Sequence, residues 1–391
     1  ENCANYGEII SDDANRGLFW GYNGSTATWK NCTAGGKVGT YNGGSPVYDT
    51  YTEEDKVKYL GVQKAGVDNV LENITYLVGT TEPGAGEGEA ELSILFIGNS
   101  FTKDAVEHLP GLLKAAGLDK IQLTHMYYGG RLVSEYYAGW STSSDYKCYE
   151  CGPGASSWTE TTGKTLKQVA ESRSWDIITI QEHTGNAAAW TWNSTAQANL
   201  QGMINSAKAT QTGAMPKFYY IMSQAYFNMG KIGSGSQPSI TWTDQAGMWD
   251  VIAAFGKNVM ANVSFDGIIS TGVMLQNLRT SPLDNEMNLT RDGYHMDNGI
   301  SRYGAACTVF ETLITPKFNV TLDGNSYRYT VENTSDSAYS TPVTDANAPV
   351  ALKAARYAIA NPYEVTDMSD VKEDLPGNSI GDVDYEEGSK E

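Results

Sequence analysis

Histidine is scarce in this 391-residue sequence: there are four, His108, His125, His183 and His295. Any proton transfer near neutral pH that needs an imidazole therefore has four places to look. Basic residues are also few, 27 Lys and Arg against 46 Asp and Glu, for a net charge of −19. With no Lys/Arg cluster, that balance excludes nucleic acid and anionic membrane surfaces as partners. No apolar run approaches the ~20 residues of a membrane-crossing helix. Gly-x-Ser-x-Gly, the phosphate-binding Walker loop, Gly-x-Gly-x-x-Gly and His-Glu-x-x-His are all missing. The α/β-hydrolase elbow, P-loop chemistry, dinucleotide binding and zincin catalysis go with them, and no cofactor is implied.

What is present reads as globular, with 40% hydrophobic and 19% charged residues. The chain opens at Glu1 without Met, as a processed, secreted protein would. Five cysteines fit an oxidising compartment. Cys3 and Cys32 bracket a polar, Gly-rich arm and are expected to staple it, and Cys148-x-x-Cys151 in a Gly/Ser-rich loop is expected to close a small disulfide. Two further ligands for zinc are lacking nearby, and Cys307 lies on a helical pattern as a buried free thiol. Asn-x-Ser/Thr sequons begin at Asn23, Asn31, Asn73, Asn193, Asn262, Asn288, Asn319 and Asn333. Together with the cysteines they point to a secreted glycoprotein, periplasmic or cell-surface if bacterial.

Along the chain, residues 1–79 form an N-terminal arm whose last part, from a capping-box-like Thr52-Glu-Glu-Asp55 through Val67, Val70, Leu71, Ile74 and Leu77, has helical spacing. Residues 80–91 are an acidic, Gly-rich linker. In 92–315 strand patterns (92–97, 121–127, 176–181, 217–223, 266–270) alternate with helical ones (103–118, 164–173, 194–212, 244–263, 299–314). Such alternation predicts an α/β fold, a three-layer α/β/α sandwich around about five parallel strands. Residues 316–361 read as a hairpin turning at Asp323-Gly324-Asn325, then a helix over 346–360, and 362–391 as an acidic tail.

The organising stretch is Leu92–Thr102. Its apolar run, Leu92 to Ile97, suits a buried strand and ends at Gly98, which places Ser100 at a strand-to-helix turn. Among the histidines, His108 falls within the following helix, His125 within a strand pattern, and His183 just past a strand end. His295 lies in Thr290-Arg-Asp-Gly-Tyr-His, three residues after Asp292, just before the last helix of the sandwich. Within a turn that spacing lets the carboxylate orient the imidazole and leaves Nε2 facing a serine.

A strand ending Gly-Asn-Ser at the start of a domain and Asp-x-x-His before its closing helix resemble the SGNH (GDSL-like) hydrolase superfamily. The resemblance implies a flavodoxin-like fold, Ser100 as nucleophile, His295 as general base and Asp292 as its orienting partner. Tyr127-Tyr-Gly-Gly-Arg131 matches the glycine block, so Gly130 (or Gly129) would join the Ser100 backbone N–H in an oxyanion hole. The third block, usually Gly-x-Asn-Asp, is replaced by Gln181-Glu-His-Thr-Gly-Asn186, so the third donor would be Gln181 or Asn186. Asn99 in place of the usual Asp, taken with this glutamine, resembles the branch containing carbohydrate acetylesterases and secreted SGNH-like domains. The expected activity is removal of acyl, chiefly acetyl, groups from a glycan or small ester, with Tyr127, Tyr128, Trp190 and Trp192 as sugar-facing aromatics. The competing reading is an extracellular structural or adhesive glycoprotein that self-associates through residues 1–90.

Overall fold

The computed structural model describes residues 90–189, 192–227, 244–335 and 337–371, and only short strands before them. Two units result, Glu1–Gly88 and Glu89–Glu391. In the first, Ala4–Asn5, Thr33–Ala34 and Thr75–Tyr76 pair in parallel, as do Thr28–Lys30 with Val70–Glu72 and Tyr22–Asn23 with Val62–Gln63. Strands at 62–63, 70–72 and 75–76 replace the helix expected there. Val70, Leu71, Ile74 and Leu77 fit a strand as well as a helix when the run is this short, and Gly61 and Gly66 weaken a helix. Cys3, Cys32, Asn31 and Asn73 lie outside the described residues.

The second unit is built on a seven-stranded sheet. Its strands are β1 (Leu92–Gly98), β2 (Ile121–Tyr127), β3 (Lys147–Cys151), β4 (Thr159–Thr162), β5 (Ile177–Ile180), β6 (Lys217–Ile221) and β7 (Gly267–Ile269), in the order β4-β3-β2-β1-β5-β6-β7. The five expected strands run parallel, and β3 and β4 add an antiparallel hairpin at one edge. β1 is central and buried over all seven residues, which is why it reads as a continuous apolar run and not as an alternation. The one hydroxyl in that run, Ser93, donates to Asp176 Oδ2 at 3.0 Å.

The helices are α1 (Ser100–Val106), α2 (Leu109–Ala115), α3 (Val133–Ala138), α4 (Leu166–Glu171), α5 (Thr184–Ala189), α6 (Ser194–Lys208), α7 (Gln245–Asn262), α8 (Thr271–Thr280), α9 (Ile300–Leu313), α10 (Thr315–Phe318) and α11 (Ala348–Ala360). The segment expected as one helix over 103–118 is two, broken at His108, because Pro110 suits the first turn of a helix and not its interior. α8 was not foreseen: its residues 271–278 are all buried, so no polar face marks it.

Two further expectations are corrected. Cys148 and Cys151 are free and lie on β3, where residues three apart point to opposite faces and stand roughly 10 Å apart, beyond disulfide reach. The Phe318–Val331 hairpin is absent, although Gly324 keeps a turn conformation at φ 71°. That segment spends its hydrogen bonds on other elements: Leu322 N–H donates to Glu311 of α9 (3.1 Å) and Asn325 Nδ2 to the Leu112 carbonyl of α2 (3.0 Å). Residues up to 371 also pack on this unit, with Met368 fully buried.

Candidate active site

Sheet register assembles the site. Gly98 of β1 is opposite Tyr127 of β2, and Ile97 is opposite Ile180 of β5, so three strands end in line. The order reverses between β1 and β5, since β2 lies to one side of β1 and β5 to the other. An open parallel sheet leaves a crevice at such a point, outside the carboxyl ends of its strands. Ser100, the Tyr128–Arg131 loop and Gln181–Asn186 leave from it.

Asn99 is the N-cap of α1, its side chain accepting from Phe101 N–H at 3.1 Å, a contact typically worth about 1 kcal/mol. Ser100 opens the helix, where the unpaired N–H groups and the positive dipole end lie. The Gly98 carbonyl just before the turn accepts from His125 Nε2–H (3.1 Å) and the Tyr136 hydroxyl (2.7 Å). A Cβ on Gly98 would stand 2.1 Å from Thr102 Oγ1 and 2.9 Å from Gln181 Oε1, so only glycine allows this close approach.

Across the crevice, the loop between α8 and α9 carries Asp292 and His295. Thr290 bridges Met296, and Gly293, at φ 94°, turns the chain between them. Asp292 Oδ1 accepts the backbone N–H groups of His295 (2.9 Å) and Tyr294 (3.2 Å), and Oδ2 accepts His295 Nδ1–H at 2.7 Å. The ring's other nitrogen, Nε2, then accepts the Ser100 hydroxyl at 2.7 Å. Burial alone would raise the Asp292 pKa, but the His295 hydrogen bond and charge outweigh it and hold the carboxyl below its ordinary value.

The remaining candidates divide. Gln181 is fully buried and turned inward: its Oε1 accepts Asn99 N–H (3.2 Å) and Thr102 O–H (3.1 Å), and its Nε2 donates to the Glu182 carbonyl. It braces the Ser100 turn from below and does not face the crevice as the expected oxyanion donor would. Asn186 is held by the Glu182 carboxylate. Gly130 adopts φ 69°, and it and Gly129 are exposed in the loop after β2. The Tyr128 ring is covered by the Arg131 guanidinium at 3.7 Å, while Tyr127 stands edge-on to His125 and Tyr149. Trp192 packs edge-on against Phe255 of α7, which makes it a packing residue, and Trp190 lies outside the described residues. Of the described sequons, Asn193 caps α6 through its side-chain oxygen, and Asn288 donates to Asp284 at 3.0 Å.

Phe101, Tyr226, Tyr294 and Asp104 carry no site signal in the sequence, whereas His183 and Glu182 lie in the segment after β5 that the sequence does mark. Phe101 touches the His295 ring (5.2 Å between centroids), Tyr226 (5.8 Å), Tyr294 (6.4 Å) and His183 (6.4 Å), forming an aromatic collar beside the serine. His183 Nδ1 accepts Gly185 N–H at 3.0 Å, which places its proton on Nε2. Burial, reinforced by the charge of His295, lowers its pKa to about 4. Glu182 accepts the N–H groups of Val133 (3.1 Å) and His183 (2.8 Å). Asp104, one turn after Ser100, is fully buried between Arg291 and Arg302. Only its i+4 spacing from Ser100 could have flagged it. Among the described residues no group of His, Cys, Asp and Glu is arranged to hold a metal ion. No described helix is long and apolar enough to cross a membrane. A separate groove of about 380 Å³ lies between α7 and residues 363–365, lined by Trp249, Lys257 and Tyr363 among others.

No curated protein matches this sequence significantly. Among solved structures, a DUF4886 family protein from Bacteroides uniformis ATCC 8492 is similar at 25% identity and TM-score 0.59, over 72% of this chain and 99% of that one. A GDSL-like lipase from Bacteroides thetaiotaomicron VPI-5482 is similar at 13% identity and TM-score 0.33, over 57% and 86%. A salicylyl-acyltransferase from a tetracycline biosynthetic pathway is similar at 10% identity and TM-score 0.28, over 56% and 53%. The family described as a domain of unknown function, DUF4886, matches residues 93–346, which span the sheet, the Ser100 turn and the His295 loop, and the chain belongs to that family.

Proposed function

We propose that the protein is a serine esterase that removes acyl groups, chiefly acetyl, from an O-acylated carbohydrate outside the cytoplasm. The observation that carries the reading is the relay Ser100 O–H to His295 Nε2 and His295 Nδ1–H to Asp292, each at 2.7 Å. Ser100 Oγ attacks the ester carbonyl while His295 takes its proton. The tetrahedral oxyanion is met by the Ser100 N–H at the start of α1 and by the Gly130 N–H, each such donor worth roughly 3 kcal/mol. Collapse expels the alcohol, protonated by His295, and leaves acyl-Ser100. Water, deprotonated by the same imidazole, then releases the acid and restores the serine. Asp292 stays ionised throughout and keeps Nδ1 protonated.

Support for a small acyl group comes from Phe101 and Tyr226, buried rings that wall the space beside Ser100, and the partly exposed Tyr294 is the ring of this collar that can meet a pyranose. Ser100→Ala is expected to abolish hydrolysis of p-nitrophenyl acetate and release of acetate from acetylated xylan, with the melting temperature unchanged. Turnover that survives this substitution would remove Ser100 from the mechanism.

A further inference from the structure

Asp104 is the one fully buried carboxylate on the helix that carries Ser100, and its partners come from the other end of the domain. Arg291 Nη1 donates to its Oδ1 at 2.9 Å, and Arg302 approaches the same oxygen through Nε at 2.9 Å and Nη2 at 2.7 Å. Met296 N–H donates to Oδ2 at 3.1 Å. Arg291 and Met296 immediately flank the segment from Asp292 to His295, and Arg291 Nη1 also donates to the Met296 carbonyl at 2.6 Å, which closes the loop on itself. Arg302 lies in the first turn of α9, which follows the loop. One carboxylate thus ties the base-bearing loop and the next helix to the nucleophile's helix, across 187 to 198 residues of sequence.

We infer that Asp104, Arg291 and Arg302 form a charged clamp that sets both the position of His295 against Ser100 and the electrostatic field at its imidazole. This rests on the esterase reading for its kinetic consequence, although the effect on the imidazole is readable without it. Within the clamp one negative charge meets two positive ones; Asp104 interacts directly with the His295 ring, and Arg302 also meets Glu107 just after α1 and Asp297 in the loop before α9. The other charged or titratable groups around His295 are Asp292 and Tyr294 on its own loop, His183 after β5, Tyr226 after β6 and Tyr127 at the end of β2. The tyrosines are kept neutral by burial, and so is His183, which leaves Asp292 and the clamp, with Glu107 and Asp297 beside Arg302, as the charged groups of this neighbourhood.

The clamp separates from a merely structural ion pair by the sign of what it does to His295. Arg302→Met removes a positive charge and is expected to move the titration of His295 to higher pH, by roughly half to one unit at an effective dielectric near 20. Asp104→Asn removes the negative charge and is expected to move it to lower pH. Arg302→Lys keeps the charge and loses the planar fork, so the titration stays while kcat falls. Long-range 1H–15N NMR of the intact chain reads this directly. The His295 ring is assigned as the signal lost in His295→Asn, and burial holds His108 and His183 neutral down to about pH 4 and His125 to about 3. In parallel, kcat for p-nitrophenyl acetate is expected to fall at least tenfold in all three variants, with KM changed less than threefold. Circular dichroism confirms folding, and Arg302→Lys serves where Asp104→Asn does not fold. Folded Arg302→Met with His295 titrating as in the wild type overturns the clamp. Opposite shifts in Arg302→Met and Asp104→Asn, with a wild type that hydrolyses no ester, would leave the clamp standing and remove the esterase reading instead.

Discussion

The turn after β1 and the β3–β4 hairpin lie to either side of β2, and they use polar residues in opposite ways. Around the turn, Asn99, Thr102, Asp104, Gln181 and Glu182 are all at most 3% exposed, and each is hydrogen-bonded to a group distant in sequence. On the hairpin, all four residues of β4 are exposed, and its charges meet at the surface, Lys147 with Glu160 at 3.1 Å and Glu150 with Lys164 at 3.1 Å. Buried polar groups tolerate one geometry, because an unmet donor or acceptor costs about 1–3 kcal/mol. Exposed pairs contribute at most about 1 kcal/mol and mainly keep an edge strand from pairing with other chains. Position is therefore encoded on one side of β2 and solubility on the other.

The sharpest test of that contrast is Gln181→Ala, which strips the acceptor from Asn99 N–H and Thr102 O–H and opens a cavity under the serine. A loss of about 2–4 kcal/mol in urea unfolding is expected, with at least a thirtyfold drop in kcat/KM for p-nitrophenyl acetate. Wild-type activity in this variant would mean that β1 alone positions the turn. A smaller effect is expected from Glu182→Gln. Burial raises the Glu182 pKa to about 7 against the N–H groups of Val133 and His183, which favour the anion. A folded-state pKa above the unfolded one gives stability that is present below about pH 4.3 and lost as pH rises towards 7. The wild type should therefore lose about 2–3 kcal/mol from this group between pH 5 and 8. His108 and His183, lowered to about 4, act in the opposite direction below about pH 6.5, so the test is the difference between wild-type and Glu182→Gln melts. The smallest effect belongs to Lys147→Ala, expected to stay within about 0.5 kcal/mol in stability with esterase turnover unaltered.

The same contrast explains what sequence alone could show. β1 was legible because a strand buried on both faces must be apolar throughout, and Gly98-Asn-Ser100 stood out against it. Asp292 and His295 were legible because their pairing is local, three residues within one turn. Asp104 was not, since its partners lie 187 and 198 residues away and an isolated aspartate on a helix reads as surface. The role of Gln181 was misjudged for a related reason: the sequence places it at the rim, and only the packing of Gly98 against Thr102 shows which way the amide turns. β3 and β4 escaped because Gly and Ser flank them and Thr and Glu face water on β4, a composition shared with loops.

Cys148, Cys151 and Cys307 are sealed in this unit, and burial pushes the first two thiols up to about 11 and the third higher still. Since the thiolate is the reactive form, none of the three can be alkylated until the sheet or α9 opens. Uptake of an alkylating dye at these positions is thus a built-in gauge of breathing in this unit, whose three cysteines have no bond to form or to lose.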